Sequence, residues 1–262
     1  MPAAAFFDLD KTVIAKSSTL AFGRPLFKAG LVNRRTLAKA AIAQLSYTAF
    51  GADHDQLEMV RAQLLALTRG WDAEELRRMA AESVEEVVAP LVYQEALELI
   101  GHHRESGRLV VLISSSPEEI VRPLAGYLGG IDEVVATRSK VGPDGKYTGE
   151  LEFYAYGTGK VDAVNELAER LDIDLRASFA YSDSVTDAPL LHAVGHPVAV
   201  NPDRDLRAIA QAEGWETRIF ARPVDLEGGM SRRRASVSGA VATAAIGAAV
   251  AVWLWSRRTH EA

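Results

Sequence analysis

Three kinds of hydrophobic spacing follow one another along the chain. Residues 3–9 form a short run, apolar apart from Asp8 and broken by Lys11 and Thr12. That pattern predicts a strand buried on both faces. Between residues 16 and 90 the spacing becomes helical and predicts helices over 18–29, 34–50, 54–68 and 73–88, separated by GLVN, FGAD and RGWD breaks rich in turn and cap residues. Strand–helix alternation then resumes. Residues 109–114, 133–137, 178–181 and 197–200 read as strands, and 118–128, 160–171 and 188–194 as helices. Residues 140–153 read as a hairpin turning at Asp144-Gly145. The expected fold class is α/β, a Rossmann-like parallel sheet core with a helical cap inserted after the first strand. The expected core covers 1–15 and 91–222, and the cap covers 16–90.

Beyond the core the pattern changes once more. Residues 213–230, with Pro223 and Gly228-Gly229, read as a last strand running into a linker over 223–236. The stretch VSGAVATAAIGAAVAVWLW, residues 237–255, carries no charge. As a helix it spans roughly 28 Å, close to the hydrocarbon thickness of a bilayer. Arg232, Arg233 and Arg234 precede it, Arg257 and Arg258 follow in a basic tail (256–262), and Trp253 and Trp255 stand where interfacial aromatics lie. A single transmembrane helix is expected here, anchoring the chain to the cell membrane. Gly239, Thr243, Gly247 and Ala251 make a small-residue stripe through which two anchors would pack as a homodimer. The competing reading is an Ala-rich tail that does not insert, which would leave the chain cytoplasmic.

Composition narrows the classes. Of 262 residues 48% are hydrophobic and 24% charged, enough for a globular core plus an insertion. The absence of cysteine excludes disulfides, thiolate metal sites and cysteine nucleophiles. The net charge of −6 conceals an asymmetry, because residues 231–262 hold +4 and the remainder −10. An acidic body makes a poor nucleic-acid ligand, so no nucleic-acid partner is expected. The start, MPAAAFFDLD, lacks a basic segment followed by an apolar core, so the folded part is expected to stay in the cytoplasm.

Candidate chemistry gathers at the carboxyl ends of predicted strands, where open α/β sheets build their sites. Asp8 and Asp10 close the first strand, and on an extended chain they would point to the same side. Like charges that close repel and lose hydration, so such a pair suits a divalent cation or a phosphoryl group. Ser114 ends the second strand; Ser115, Ser116 and Pro117 lead into a helix whose hydroxyls and free N–H groups suit phosphate. Lys160 starts a helix after the glycines of YGTGK, within reach of a cleft. Asp183 and Asp187, in SDSVTD, follow the strand FAY at a spacing that suits a hard cation, one acid binding directly and one through water. Jointly these groups make a phosphoryl-transfer constellation. His102-His103 and the Asp53-His54-Asp55 run read instead as solvated surface at helix ends.

The order and spacing of these four elements resemble the haloacid dehalogenase superfamily, in the subclass that contains the phosphoserine phosphatases. The resemblance covers about residues 4–220, and FFDLDKTVIAKSSTLAF, DGKYTGE and FAYSDSVTD are similar to actinobacterial proteins named as phosphoserine phosphatases. It implies a Mg²⁺-dependent hydrolase of small phosphomonoesters, with a helical cap over the site. Asp8 would be the nucleophile that forms an aspartyl phosphate. Asp10 would be the general acid/base, its pKa raised relative to Asp8 by the neighbouring charge. Mg²⁺ would be held by the Asp8 side chain, the Asp10 backbone carbonyl and Asp183, with Asp187 orienting the site. Ser114, Ser115 and Lys160 would bind the phosphoryl group and offset its charge. Arg61 would serve a substrate carboxylate.

Three departures from that family's pattern bear on the substrate. Ser17 stands where a glutamate usually reads the substrate's amino group, Ser115 and Ser116 replace glycines, and SDSVTD replaces GDGxxD. The reaction type survives these changes, while weaker selectivity for phosphoserine is expected. A lipid or lysolipid phosphate is the alternative substrate. A signalling receiver domain also uses an acidic pair, a hydroxyl and a lysine, but it places the phosphorylated aspartate on the third strand and has no helical insert after the first.

Overall fold

The computed structural model describes residues 1–32 and 68–222, together with Leu65. The expected helix over 34–50, that over 54–68 apart from Leu65 and Thr68, Arg61, the Asp53–Asp55 run, the linker and the 237–255 segment lie outside the described residues. Among the described residues no helix is long and apolar enough to cross a membrane.

The described strands form one sheet: β1 (Ala4–Asp8), β2 (Leu109–Pro117), β3 (Glu133–Val141), β4 (Tyr147–Phe153), β5 (Phe179–Ser182), β6 (His196–Val200) and β7 (Glu216–Arg218). Their order is β4-β3-β2-β1-β5-β6-β7, all parallel except β4, which runs antiparallel to β3. All five residues of β1 are buried. Their alternation sends Ala5 and Phe7 into one apolar cluster and Ala4 and Phe6 into the other, so both faces of the sheet are covered.

The chain winds outward from β1 in both directions, through β2 and β3 on one side and through β5, β6 and β7 on the other. A switch of this kind opens a crevice at the carboxyl ends of the central strands. Register places particular residues there: Asp8 pairs with Ile113 and Phe7 with Tyr181. Ser114, Ser182 and Asp183 therefore lie at the same edge as Asp8.

The helices are α1 (Ser18–Ala21), α2 (Gly23–Lys28), α3 (Ala73–Val88), α4 (Gln94–Glu105), α5 (Glu118–Leu128), α6 (Thr158–Leu171), α7 (Ala188–His192) and α8 (Arg204–Glu213). Asp72 caps α3 by accepting from the Glu74 and Glu75 N–H groups at 2.9 Å. The helix then packs its buried face, Leu76, Met79, Ala80, Val84 and Val88, against α5.

The structure departs from the spacing in several places. The expected helix over 18–29 is two short helices that meet at Phe22. Pro25 has no N–H, and its ring opposes the carbonyl four residues earlier, on Ala21, so the first helix ends there. The expected strand over 133–137 and the first arm of the expected hairpin are one strand, β3, held together by its pairing with β4. Helix α8 was not expected from the pattern, and of α4 only an end at His102-His103 was. Their buried stripes are thin: Ala96, Ile100 and His103 in α4, Leu206 and Ala210 in α8.

Candidate active site

Lys160 organises one half of the crevice. Gly157 precedes α6 with φ at +55°, and a Cβ on Gly159 would collide with the Tyr154 carbonyl, so the glycines let the helix start close in. The buried Lys160 ammonium donates to Asp8 Oδ1 and to Asp187 Oδ2, both at 2.7 Å. Ser182 Oγ donates to the same Asp187 oxygen at 2.7 Å. Asp183 stands apart from this chain of bonds. Its Oδ2 is 3.9 Å from the Lys11 ammonium, and its carbonyl accepts from the Asp203 N–H at 2.8 Å. The Asp203 carboxylate accepts from Val185 N and Leu206 N, tying the 183–187 turn to α8.

Asp10 faces other groups. The backbone leaves the extended form after Leu9, whose carbonyl accepts from both Val13 N and Ile14 N, and Lys11 takes a left-handed φ of +62°. The two acids therefore do not share partners, contrary to the expectation from an extended strand. Asp10 Oδ1 accepts from Ser18 N at 2.8 Å, and Oδ2 accepts from Ser116 Oγ at 3.2 Å. Ser18 Oγ donates to Ser116 Oγ at 2.8 Å, and Thr19 Oγ1 lies 3.1 Å from it. The Ser116 N–H donates to Ser114 Oγ at 3.1 Å where the end of β2 bulges out of register with β3. Ser115 is exposed, while its carbonyl accepts from Thr137 Oγ1, which accepts in turn from Ala155 N. The end of β2 is thus pinned to the loop that delivers Lys160.

Burial dominates the electrostatics. It pushes the Asp8 carboxyl well above the usual range against the opposing pull of Lys160, with Asp187 and Asp183 adding to the rise. It also raises Asp10, against the hydrogen bonds from Ser18 and Ser116. The expected cause, the charge on Asp8, is replaced by desolvation. Asp183 is pushed to about 7 by burial, with Lys11 pulling the other way. Burial alone would depress Lys160, but Asp187 and Asp8 outweigh it and hold the ammonium above the ordinary lysine value.

Asp8 and Asp187 thus share one buried ammonium, while the buried Asp183 has the more distant Lys11, an excess of negative charge that a divalent cation would offset. Among the described residues no three His, Asp or Glu side chains converge into a cage. That fits Mg²⁺, which takes one or two carboxylates and keeps its waters, rather than a metal held by protein alone. Asp8 and Asp183, both buried at this edge, are the side chains that could hold it.

Of the site residues expected from sequence, Asp8, Asp10, Ser114, Ser115, Lys160, Asp183 and Asp187 all lie at this edge, and Arg61 falls outside the described residues. Ser18, Thr19, Ser116, Thr137 and Ser182 belong to the bonded network without having been assigned those contacts. Nearness to the acidic motifs hinted at Ser18, Thr19 and Ser182, and nearness to Ser114 at Ser116; nothing local pointed to Thr137. His103 corrects an expectation: it is buried, not solvated. Its Nε2 lies 2.7 Å from the Tyr181 hydroxyl, among the rings of Phe7, Phe179 and Tyr181.

Residues 5–192 match the haloacid dehalogenase-like hydrolase family, and the chain belongs to it. It is 50% identical over 242 residues to a "Probable phosphatase" of Mycobacterium tuberculosis, covering 92% of this chain and 83% of that one. A phosphoserine phosphatase of the same organism is 35% identical over 262 residues (98% and 82%), and a histidinol-phosphatase of Neisseria meningitidis 34% identical over 225 residues (82% and 98%). A crystal structure of a Bordetella pertussis protein of unknown function superposes with a TM-score of 0.71 at 29% identity, covering 83% of this chain and 98% of that one. The chain is an enzyme, a phosphatase of this family, whose phosphatases generally use Mg²⁺.

Proposed function

We propose that this phosphatase hydrolyses a small phosphomonoester through an aspartyl phosphate on Asp8. The observation that carries the reading is the Lys160 ammonium, buried and 2.7 Å from both Asp8 and Asp187 at the sheet's switch point. A cation fixed there neutralises charge on the nucleophile and on a phosphoryl group docked beside it, the electrostatic contribution that dominates this chemistry. An Asp8 oxygen bonds to phosphorus as the ester P–O bond breaks, and the leaving alkoxide takes a proton from Asp10. Water then attacks the aspartyl phosphate, gives its proton to Asp10, and releases phosphate and the Asp8 carboxylate. Ser114 and the Ser115 N–H at the end of β2 bind the phosphoryl oxygens. Mg²⁺, when bound, supplies the positive charge that keeps Asp8 ionised in its buried position.

The substrate reading rests on Ser17 at the start of α1, a short neutral side chain that makes no cap bond to that helix. It offers an ammonium no charge, so selectivity for phosphoserine over similarly sized esters is weak. Relatives of nearly equal identity are named for two different substrates, in line with that reading. The 237–255 segment serves as a single-pass anchor with the catalytic domain on the cytoplasmic side, a reading supported by the sequence pattern alone.

Rapid quench during turnover, followed by peptide mass spectrometry, tests the central claim. Phosphate is expected on the peptide containing Asp8; an adduct on a serine would overturn it. Carbonate extraction tests the anchor, since full-length chain should stay with membranes and residues 1–230 should not. Finding both forms in the soluble fraction would remove the anchor.

A further inference from the structure

Asp10 is held by a group from another part of the chain. Ser116 comes from the bulged carboxyl end of β2, is buried, and sits 3.2 Å from Asp10 Oδ2. A hydroxyl has one proton and two lone pairs. Ser18 Oγ–H fills one lone pair of Ser116 Oγ at 2.8 Å, leaving Asp10 and Thr19 as the two groups that compete for its proton. The carboxylate is the stronger acceptor, so the proton goes to Asp10 and Thr19 donates into the second lone pair. Every bonding position of the Ser116 hydroxyl is then used. Both Asp10 oxygens are also taken, Oδ1 by Ser18 N–H and Oδ2 by Ser116, which fixes the plane of the carboxyl group.

We propose that Ser116 is a positioning residue for the acid step: its hydroxyl, itself oriented by Ser18 and Thr19, holds the Asp10 carboxyl at the angle from which it protonates the leaving group. The inference rests on the phosphomonoesterase reading and adds a residue to it. Ser116 touches no reacting atom. Its removal leaves the Asp8 and Lys160 contacts in place and frees one Asp10 oxygen to rotate. The effect should therefore depend on how much the leaving group needs a proton. An alkoxide departs poorly without one, whereas a nitrophenolate departs without help.

The test compares kcat/KM of the full-length Ser116→Ala variant on an alkyl phosphate, β-glycerophosphate, and on p-nitrophenyl phosphate, since kcat/KM reports the step in which the ester bond breaks. General acid catalysis is worth about 10²–10⁴-fold, and a misaligned acid forfeits part of it. We expect a loss of roughly 10- to 100-fold on the alkyl ester, only a few-fold on the aryl ester, and recovery of the alkyl rate in Ser116→Thr, which keeps the hydroxyl. Ser116→Gly, which introduces no bulk at this site, should behave like the alanine variant. Equal losses on both esters, or no loss on the alkyl ester, would overturn the role of Ser116 while leaving the phosphatase reading intact. Absence of turnover of both esters by the wild-type chain would overturn that reading and this inference with it.

Discussion

Asp8 and Asp10 stand two residues apart and both are pushed up by burial, yet their surroundings differ in kind. Asp8 lies among charges: the Lys160 ammonium at 2.7 Å, with Asp187 on its other side and Asp183 nearby. Asp10 lies among neutral donors, a backbone N–H and a hydroxyl, and among the described residues no cation makes a hydrogen bond to it. A buried ammonium favours the ionised carboxylate that a nucleophile needs. Hydroxyl donors fix an angle without adding charge, which suits a group that must gain and lose a proton within one cycle. The division of labour proposed for the two acids therefore belongs less to the acids than to what α6, α1 and the end of β2 bring against them.

Experiments that separate the two surroundings sharpen that contrast. The largest effect should come from Asp8→Asn, where an amide cannot attack phosphorus: turnover should fall by about 10⁴-fold or more on alkyl and aryl esters alike. Lys160 keeps Asp187, so the melting temperature should change little; near-normal turnover would remove Asp8 from its role.

Lys160→Met strikes the same side through its cation. It leaves two buried carboxylates without their cation, Asp187 keeping the Ser182 hydroxyl, and breaking a buried pair in this way costs about 3–5 kcal/mol. Urea denaturation of the metal-free variant measures it. A loss below about 1 kcal/mol would show that water, not Lys160, solvates the two acids.

A gentler probe is metal binding against pH. With its carboxyl pushed to about 7, Asp183 of the metal-free protein holds a proton below that value, and the proton competes with the cation. Stabilisation by Mg²⁺ should be small near about pH 5.5 and grow to several degrees of melting temperature near about pH 8. A shift independent of pH would place the metal away from Asp183.

The smallest effect concerns His103, a buried titratable group among aromatic rings. Burial, with Arg108 adding to it, lowers His103 from 6.5 to about 4. On acidification the unfolded chain takes up this proton first, so the stability present above about pH 6.5 is lost as pH falls towards about 4. The loss attributable to His103 is roughly 1–3 kcal/mol, and His103→Phe should flatten the stability profile in that window. An unchanged profile would mean that the ring is protonated without cost.

Much of this was legible in one dimension. The apolar run ending at Asp8, the helical spacing of 73–88 capped by Asp72, and the acids and hydroxyls beside strand ends are local features, set by side-chain period and turn chemistry within a few residues. Spacing also indicated which groups share one edge of a parallel sheet, because every strand of such a sheet presents its carboxyl end on the same side. Spacing did not reveal who bonds to whom. Lys160 meets Asp8 across 152 residues, and Ser18 meets Ser116 across 98. The turn after Leu9 separated two acids that an extended chain would have aimed together, and packing buried a histidine that looked like surface. Those outcomes depend on register between strands and on burial, which raises Asp8, Asp10 and Asp183. Register and burial arise only when distant segments close on one another, so the order of residues determined the chemistry available here, and tertiary packing decided the partner and proton affinity of each group.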